Sequence, residues 1–226
     1  MSVLASDRIT VYKFLPANYA IQAIEKRRFK VSTLESLNDP YDTNPYYNTQ
    51  GREQAFVDDF KDKYMRNYGF ISYSQSLKDP VVWAHYADSH KGIAIGVTYH
   101  NAELLKIDYQ PDKSDAELRP EIIVASWTPK NHEEEMKKIL TRKYKSWEYE
   151  KEYRSWELLE KCKTEGGLYF KQFNIQNFVS EIVIGLRCNV SCDYLQHALG
   201  DDKYGVKFFE AKESRTRYEM EIVQLP

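Results

Sequence analysis

One stretch narrows the folding options more than any other, the run from Gly69 to Tyr99. Gly69-Phe-Ile-Ser-Tyr-Ser74 reads as a strand, and Asp79-Pro80 then sets a helix start. The Asp carboxylate can accept from a backbone N–H that the first helical turn leaves open. Proline at the first helical position lacks an N–H that would have gone unpaired anyway. This pattern predicts a helix through Val81-Val-Trp-Ala-His-Tyr-Ala-Asp-Ser-His-Lys91, with Gly92 as its C-terminal stop. Ile93-Ala-Ile-Gly-Val-Thr-Tyr99 follows as an apolar strand. A strand, a capped helix and a second strand so close together make a compact unit that demands a sheet.

The flanking sequence extends that sheet. Ile9–Leu15 alternates like a strand and stops at Pro16, after which Asn18 is expected to cap a helix reaching about Arg27. Ala20, Ile21 and Ile24 form its apolar stripe. Phe29–Ser32 reads as a short strand, and Leu37-Asn-Asp-Pro-Tyr-Asp42 as a turn in which Asn and Asp bond their own backbone. Phe56, Phe60 and Tyr64 suggest a surface helix over 52–66. Glu133/Lys137 and Glu134/Lys138 stand one helical turn apart, predicting a helix over 131–144. Trp147–Leu159 can continue that helix, which would splay Glu150, Glu152 and Arg154 apart, or turn extended, and it is read as a strand from about 151. Further strands are expected at 168–173, 179–186, 205–211 and 217–224, with a helix from Ser191 to Leu199. Strands bunched late and helices interspersed early predict an α+β fold: one globular domain over 1–226 on a mixed, mainly antiparallel sheet. No G-x-G-x-x-G follows a strand and no G-x-x-x-x-G-K-[ST] occurs, which excludes dinucleotide-fold and P-loop chemistry.

Composition removes other classes. A net charge of −2 does not mark a general binder of polyanions. No apolar run approaches the ~20 residues of a membrane span. Met1–Arg8 lacks the basic start and apolar stretch of a signal peptide. The three cysteines are an odd number without CxxC, as expected of reduced thiols in a cytoplasm. Cys188 and Cys192 have no matching His or Cys pair, so no metal is expected. Tyrosine, at 18 residues, supplies flat apolar area with a hydroxyl, suited to lining a polar ligand pocket or to half-exposed strand positions.

Three constellations could carry chemistry. On the helix over 80–91, Trp83, Tyr86, Ala87 and His90 recur at i, i+3, i+4, i+7 and share one face. That face suits stacking on a planar ligand, or else simply the core. His85 points elsewhere, and its i, i+5 spacing from His90 does not converge on a metal. In Glu150-Lys-Glu152-Tyr-Arg154, an extended backbone puts Glu150, Glu152 and Arg154 on one side, with Trp156 following. Two carboxylates beside a guanidinium can fix a sugar hydroxyl or stabilise positive charge. If exposed, they are an ion-pair ladder of little energetic value. The turn from Asn38 to Asp42 can reach over a pocket, or can be a turn and nothing more.

Tyr12-Lys13-Phe14, Leu37-Asn-Asp-Pro-Tyr-Asp42, Phe70-Ile-Ser-Tyr-Ser74, Trp83-Ala-His-Tyr-Ala-Asp-Ser-His-Lys-Gly92 and Trp147-Glu-Tyr-Glu-Lys-Glu-Tyr-Arg154 together resemble a widespread bacterial domain-of-unknown-function family. The resemblance spans about residues 11–186, and the W-x-x-Y-A-x-x-H-x-G string is its most specific part. A weaker resemblance is to ADP-ribosyltransferase-like folds. These place a polar residue on a first strand, a Ser-containing strand in the middle and a catalytic Glu late, often as E-x-E. Tyr12 or Lys13, then Ser72 and Ser74, then Glu150 and Glu152 follow that order, although Lys stands where those enzymes carry Arg or His.

The resemblance implies NAD as substrate, with Glu152, Tyr86 and His90 catalytic. It also implies a ligand site of Tyr12, Lys13, Asn38, Asp42, Ser72, Ser74, Trp83, His85, Glu150 and Arg154. An NAD-consuming transferase or glycohydrolase of a bacterial or phage conflict system is the expectation. The alternative is a non-catalytic ligand- or protein-binding module built on the same pocket.

Overall fold

A computed structural model describes residues 7–42, 46–47, 66–115, 140–173 and 178–226. Its main sheet has eight strands: β1 (Arg8–Leu15), β2 (Tyr68–Ser74), β3 (Ile93–His100), β4 (Leu105–Lys106), β5 (Glu152–Leu158), β6 (Phe178–Ile184), β7 (Lys207–Glu213) and β8 (Met220–Gln224). They lie side by side in the order β8-β7-β6-β3-β1-β2-β5-β4. Every pairing is antiparallel except β6 with β7, which is parallel. The expected α+β fold on a mixed, mainly antiparallel sheet is therefore observed.

Strand alternation divides the core between the two faces of this sheet. Val11, Ile71, Tyr73, Ile93, Ile95 and Val97 pack with Ala20 and Ile24 of α1 (Ala17–Glu25) and with Leu195 and Leu199 of α3 (Cys192–Leu199). Phe14, Ala94 and Val183 face the other way, onto Val82 and Trp83 of α2 (Pro80–Tyr86). Neighbours in sequence thus serve opposite layers, as a period of two requires.

The sheet has one discontinuity. β1 pairs with β3 along its whole length, from Arg8↔His100 to Leu15↔Ile93. With β2 it shares a single register pair, Tyr12↔Ser74. β2 instead zips onto β5 from Glu152↔Ser74 to Leu158↔Tyr68. Nearer its start, β2 bonds Ser32, with Ser32 N–H donating to the Phe70 carbonyl and Phe70 N–H to the Ser32 carbonyl, both at 2.9 Å. β1 and β2 therefore diverge, and the candidate site sits where they part.

Several local expectations need correction. α1 begins behind Pro16, whose carbonyl accepts from Tyr19 and Ala20 N–H at 3.0 Å each, and Asn18 lies inside the first turn without capping it. Proline already fixes the extended φ that a cap residue needs. Asp79 caps α2 as expected, its Oδ1 accepting from Val81 N–H at 2.8 Å. The helix, however, ends at Tyr86 rather than Lys91. Asp88, Ser89 and His90 take φ of 45°, 54° and 70°, a left-handed run that turns the chain straight into β3. Gly92 is needed for close approach, since a Cβ there would stand 2.1 Å from the Leu15 carbonyl oxygen.

Arg142–Tyr144, expected to end a helix, is a strand paired parallel with Asp108–Gln110. Residues 131–139 of that expected helix, and residues 52–65 of the one expected over 52–66, lie outside the described residues.

Candidate functional site

Where β1 and β2 part, the Lys13 Nζ donates to the Ser72 carbonyl at 3.1 Å. The side chain thereby satisfies an acceptor that a continued ladder would have used. Beside it opens a cavity of about 320 Å³. Of the residues predicted for the site, it brings together Tyr12, Lys13, Asn38, Asp42, Ser72, Ser74, Tyr86, Glu150, Glu152 and Arg154.

Arg154 organises the floor of this cavity. It is 1% exposed, and its planar guanidinium lies over the Phe70 ring at 4.4 Å. Nε donates to Glu152 Oε1 at 2.7 Å, and Nη2 donates to Glu152 Oε2 at 3.2 Å and Asp42 Oδ2 at 2.6 Å. Nη1 donates to Asp42 Oδ1 and to the Leu140 carbonyl, each at 3.0 Å. A guanidinium has five N–H donors, and here every one has a protein acceptor. The turn from Asn38 to Asp42 is thus tied to β5 by a bidentate ion pair. Within the turn, Asp39 Oδ1 accepts from Tyr41 N–H at 2.9 Å.

Lys143 links the two glutamates. Its Nζ donates to Glu150 Oε2 at 2.6 Å and to Glu152 Oε2 at 3.0 Å, with Asp42 Oδ2 at 3.8 Å. The Tyr86 hydroxyl donates to the other oxygen of Glu150. Glu150 stands outside the strand, at the end of a 3-10 turn over Lys145–Glu150. Lys151, at φ 46°, redirects the chain into β5, so strand alternation is not what aims Glu150 at the cavity.

Three buried carboxylates, Asp42, Glu150 and Glu152, share two bonded cations, Lys143 and Arg154. The protons settle accordingly. Burial pushes Glu152 up, but Arg154 and Lys143 outweigh it and hold the carboxyl down at about 2. Burial raises Glu150, and the Glu152 charge adds to the rise while Lys143 opposes it. Burial and then the Glu150 charge raise the Tyr86 hydroxyl, so it stays a hydrogen-bond donor. Burial lowers the Lys13 ammonium to about 8, against the pull of Glu152 and with help from Lys30. The cavity therefore holds one carboxyl whose proton affinity is lowered, one whose affinity is raised, and an ammonium that is lowered to about 8. Groups with such opposed tendencies, placed side by side, are what proton-transfer chemistry requires.

Three predicted residues lie elsewhere. Trp83 is fully buried against Phe14, ring centroids 4.8 Å apart, with its Nε1 donating to the Leu77 carbonyl at 2.7 Å. It is core, and no ligand can stack on it. His85 is exposed, with Nδ1 3.1 Å from the Tyr149 hydroxyl. His90 lies past the helix end, its carbonyl accepting from Arg187 N–H at 2.9 Å and its ring held below the usual histidine range by burial and then by Arg187. The shared helical face that was to join His90 to Tyr86 ends with α2 at Tyr86.

Lys143 is the functional residue that sequence reasoning missed. Tyr109, whose hydroxyl accepts from Glu152 N–H at 2.8 Å, is another. Among the described residues, no group of three or more His, Cys, Asp or Glu is placed to hold a metal ion. No described helix is long and apolar enough to cross a membrane. Comparisons with family models, curated proteins and solved structures find no match to this chain.

Proposed function

We propose that the cavity cleaves the bond between a ribose and its base in a nucleotide of the NAD class, and passes the ribosyl carbon to water or another acceptor. The observation that carries this reading is the glutamate pair on one ammonium, with Glu152 held ionised and Glu150 raised. In the reaction the C1′–N bond breaks and nicotinamide leaves with the electron pair, neutralising its ring nitrogen. The acceptor's O–H or N–H attacks C1′, and its proton goes to Glu150. A base with a raised pKa suits that transfer near neutral pH.

The resemblance assigns the catalytic carboxylate to Glu152. Physical reasoning favours Glu150, because both oxygens of Glu152 are bonded by cations, Arg154 and Lys143, whereas Glu150 carries one cation, Lys143, and the neutral Tyr86 hydroxyl. A carboxylate so compensated exerts little field on a developing cation. In this reading Glu152 is a positioning residue, and Tyr86 holds Glu150 in place. The extended conformation of β5, paired with β2 and presenting Glu152 to the cavity, also supports an enzyme. The setting carried over from the resemblance is a bacterial or phage conflict system.

The test is release of nicotinamide from NAD, with water, amines and hydroxyl compounds offered as acceptors. Release by the wild type, lost in Glu150→Gln with the fold and ligand affinity retained, is the expected result. A wild type that releases none with any acceptor removes NAD from the reading. A non-catalytic ligand- or protein-binding module built on the same cavity would then lead.

A further inference from the structure

Lys13 and Ser32 line a second cavity as well as the first. This one encloses about 410 Å³ between α1 and the strands Arg28–Val31 and Leu168–Gln172. Four cationic side chains line it, Lys13, Lys26, Arg28 and Lys30, and no acidic side chain does so among the described residues. Gln22, Tyr19 and Ser32 add neutral polar atoms.

We propose that this basic cavity binds the phosphate groups of a small nucleotide whose other end lies against the carboxylate cavity. The role of that other end rests on the ribose-cleaving reading above, whereas the phosphate subsite stands on its own residues.

Arg28 is the anchor. It is 9% exposed, and its guanidinium lies over the Phe170 ring at 3.8 Å, which fixes the plane of its donors. A planar, oriented guanidinium suits paired phosphate oxygens. Its present partner is Glu165, with Nη2 2.7 Å from Oε2, while Lys26 Nζ donates to Oε1 at 3.0 Å. Glu165 is itself 56% exposed at its side chain, so it can swing into water when a stronger anion arrives. It holds the two cations, Arg28 and Lys26, that the proposed phosphate would take over. Lys30 is exposed and pushes against the half-buried Lys13, whose ammonium is already inclined to lose its charge. A phosphate between them would reverse that tendency.

Two observations favour a small molecule over a nucleic-acid strand. The cations line one cavity rather than a surface track, and the chain's net charge is −2. Sequence-independent strand binding depends on a basic groove that follows the backbone.

The test is calorimetric titration of the full chain with inorganic pyrophosphate, ADP and a single-stranded oligonucleotide. We expect pyrophosphate and ADP to bind the wild type, and the Lys26→Glu/Lys30→Glu double variant to lose about tenfold or more in affinity. Both side chains are exposed, so the fold should survive. Glu165→Gln should strengthen binding a few-fold by removing the internal competitor. Glu150→Gln should leave pyrophosphate affinity unchanged. Wild-type protein that binds neither probe, equal affinity in the double variant, or binding of the oligonucleotide alone would each overturn the proposal. Nicotinamide release and phosphate binding are read separately. Loss of the first with the second intact sinks only the catalytic reading, and the converse sinks only the subsite.

Discussion

The two cavities meet at Lys13 and Ser32, yet they treat charge in opposite ways. On the carboxylate side, Asp42, Glu150, Glu152, Lys143 and Arg154 are all buried and every one has a protein partner. On the basic side, Lys26 and Lys30 reach solvent and one exposed glutamate serves two cations. Burial is the difference. Ions removed from water must find compensation inside the fold, whereas ions left at its rim keep their hydration until a ligand replaces it. A closed network of the first kind sets geometry, and an open cluster of the second kind is free to recruit.

The sharpest way to break this contrast is Arg154→Met. It leaves Asp42 and Glu152 buried without their main partner, and should cost about 3–5 kcal/mol in chemical denaturation. A loss under about 1 kcal/mol would mean that water already reaches the network.

Acid should expose the same asymmetry with a smaller effect. Glu152 sits at about 2 in the fold, against about 4.3 when unfolded. Its stabilisation, about 3 kcal/mol at most, is complete above the unfolded value and fades as pH falls from about 4 toward 2. Glu150, raised in the fold, acts with the opposite sign, since its contribution is present at low pH and declines as pH rises through its folded value. Denaturation midpoints in Glu152→Gln and in Glu150→Gln, followed across pH, should therefore change slope in opposite directions. Parallel profiles would contradict the assignment.

Asp79→Ala should cost about 1 kcal/mol through the lost cap of α2, the helix that carries Tyr86. The smallest effect is expected at the basic side, where Lys30→Ala should shift stability by no more than about 0.5 kcal/mol. If Lys30→Ala cost as much as Arg154→Met, both clusters would be structural and the comparison would dissolve.

Much of this site was readable from residue order. Asp79-Pro80 announced its helix because a cap and an N1 proline act within four residues of chain. The Asn38–Asp42 turn was readable for the same reason, since turn chemistry is local, whereas alternation left β5 open between helix and strand and its pairing with β2 decided it. Lys143 was not. Its strand is three residues long and pairs with Asp108–Gln110, far away in sequence, so the nearby Glu/Lys spacing pointed to a helix instead. His90 was misplaced because the left-handed run after Tyr86 answers to β3 and Gly92 rather than to helical periodicity.

Lys26, Arg28 and Lys30 show the limit most plainly. In sequence Lys26 belongs to the expected helix and Lys30 to the expected strand, and only the packing of α1 against the strands Arg28–Val31 and Leu168–Gln172 brings them, with Arg28, to one volume. By itself, then, the sequence determined the long strands β1, β2 and β3, the Asp79 cap, the Asn38–Asp42 turn, and the glutamates and arginine of the site. The tertiary structure decided that β1 and β2 part after Tyr12, that Lys143 joins Glu150 to Glu152, and that a basic cavity lies next door. The physical reason is range. Hydrogen bonds within a turn are written in neighbouring residues, while a proton's preference between two carboxylates depends on charges that only folding brings together.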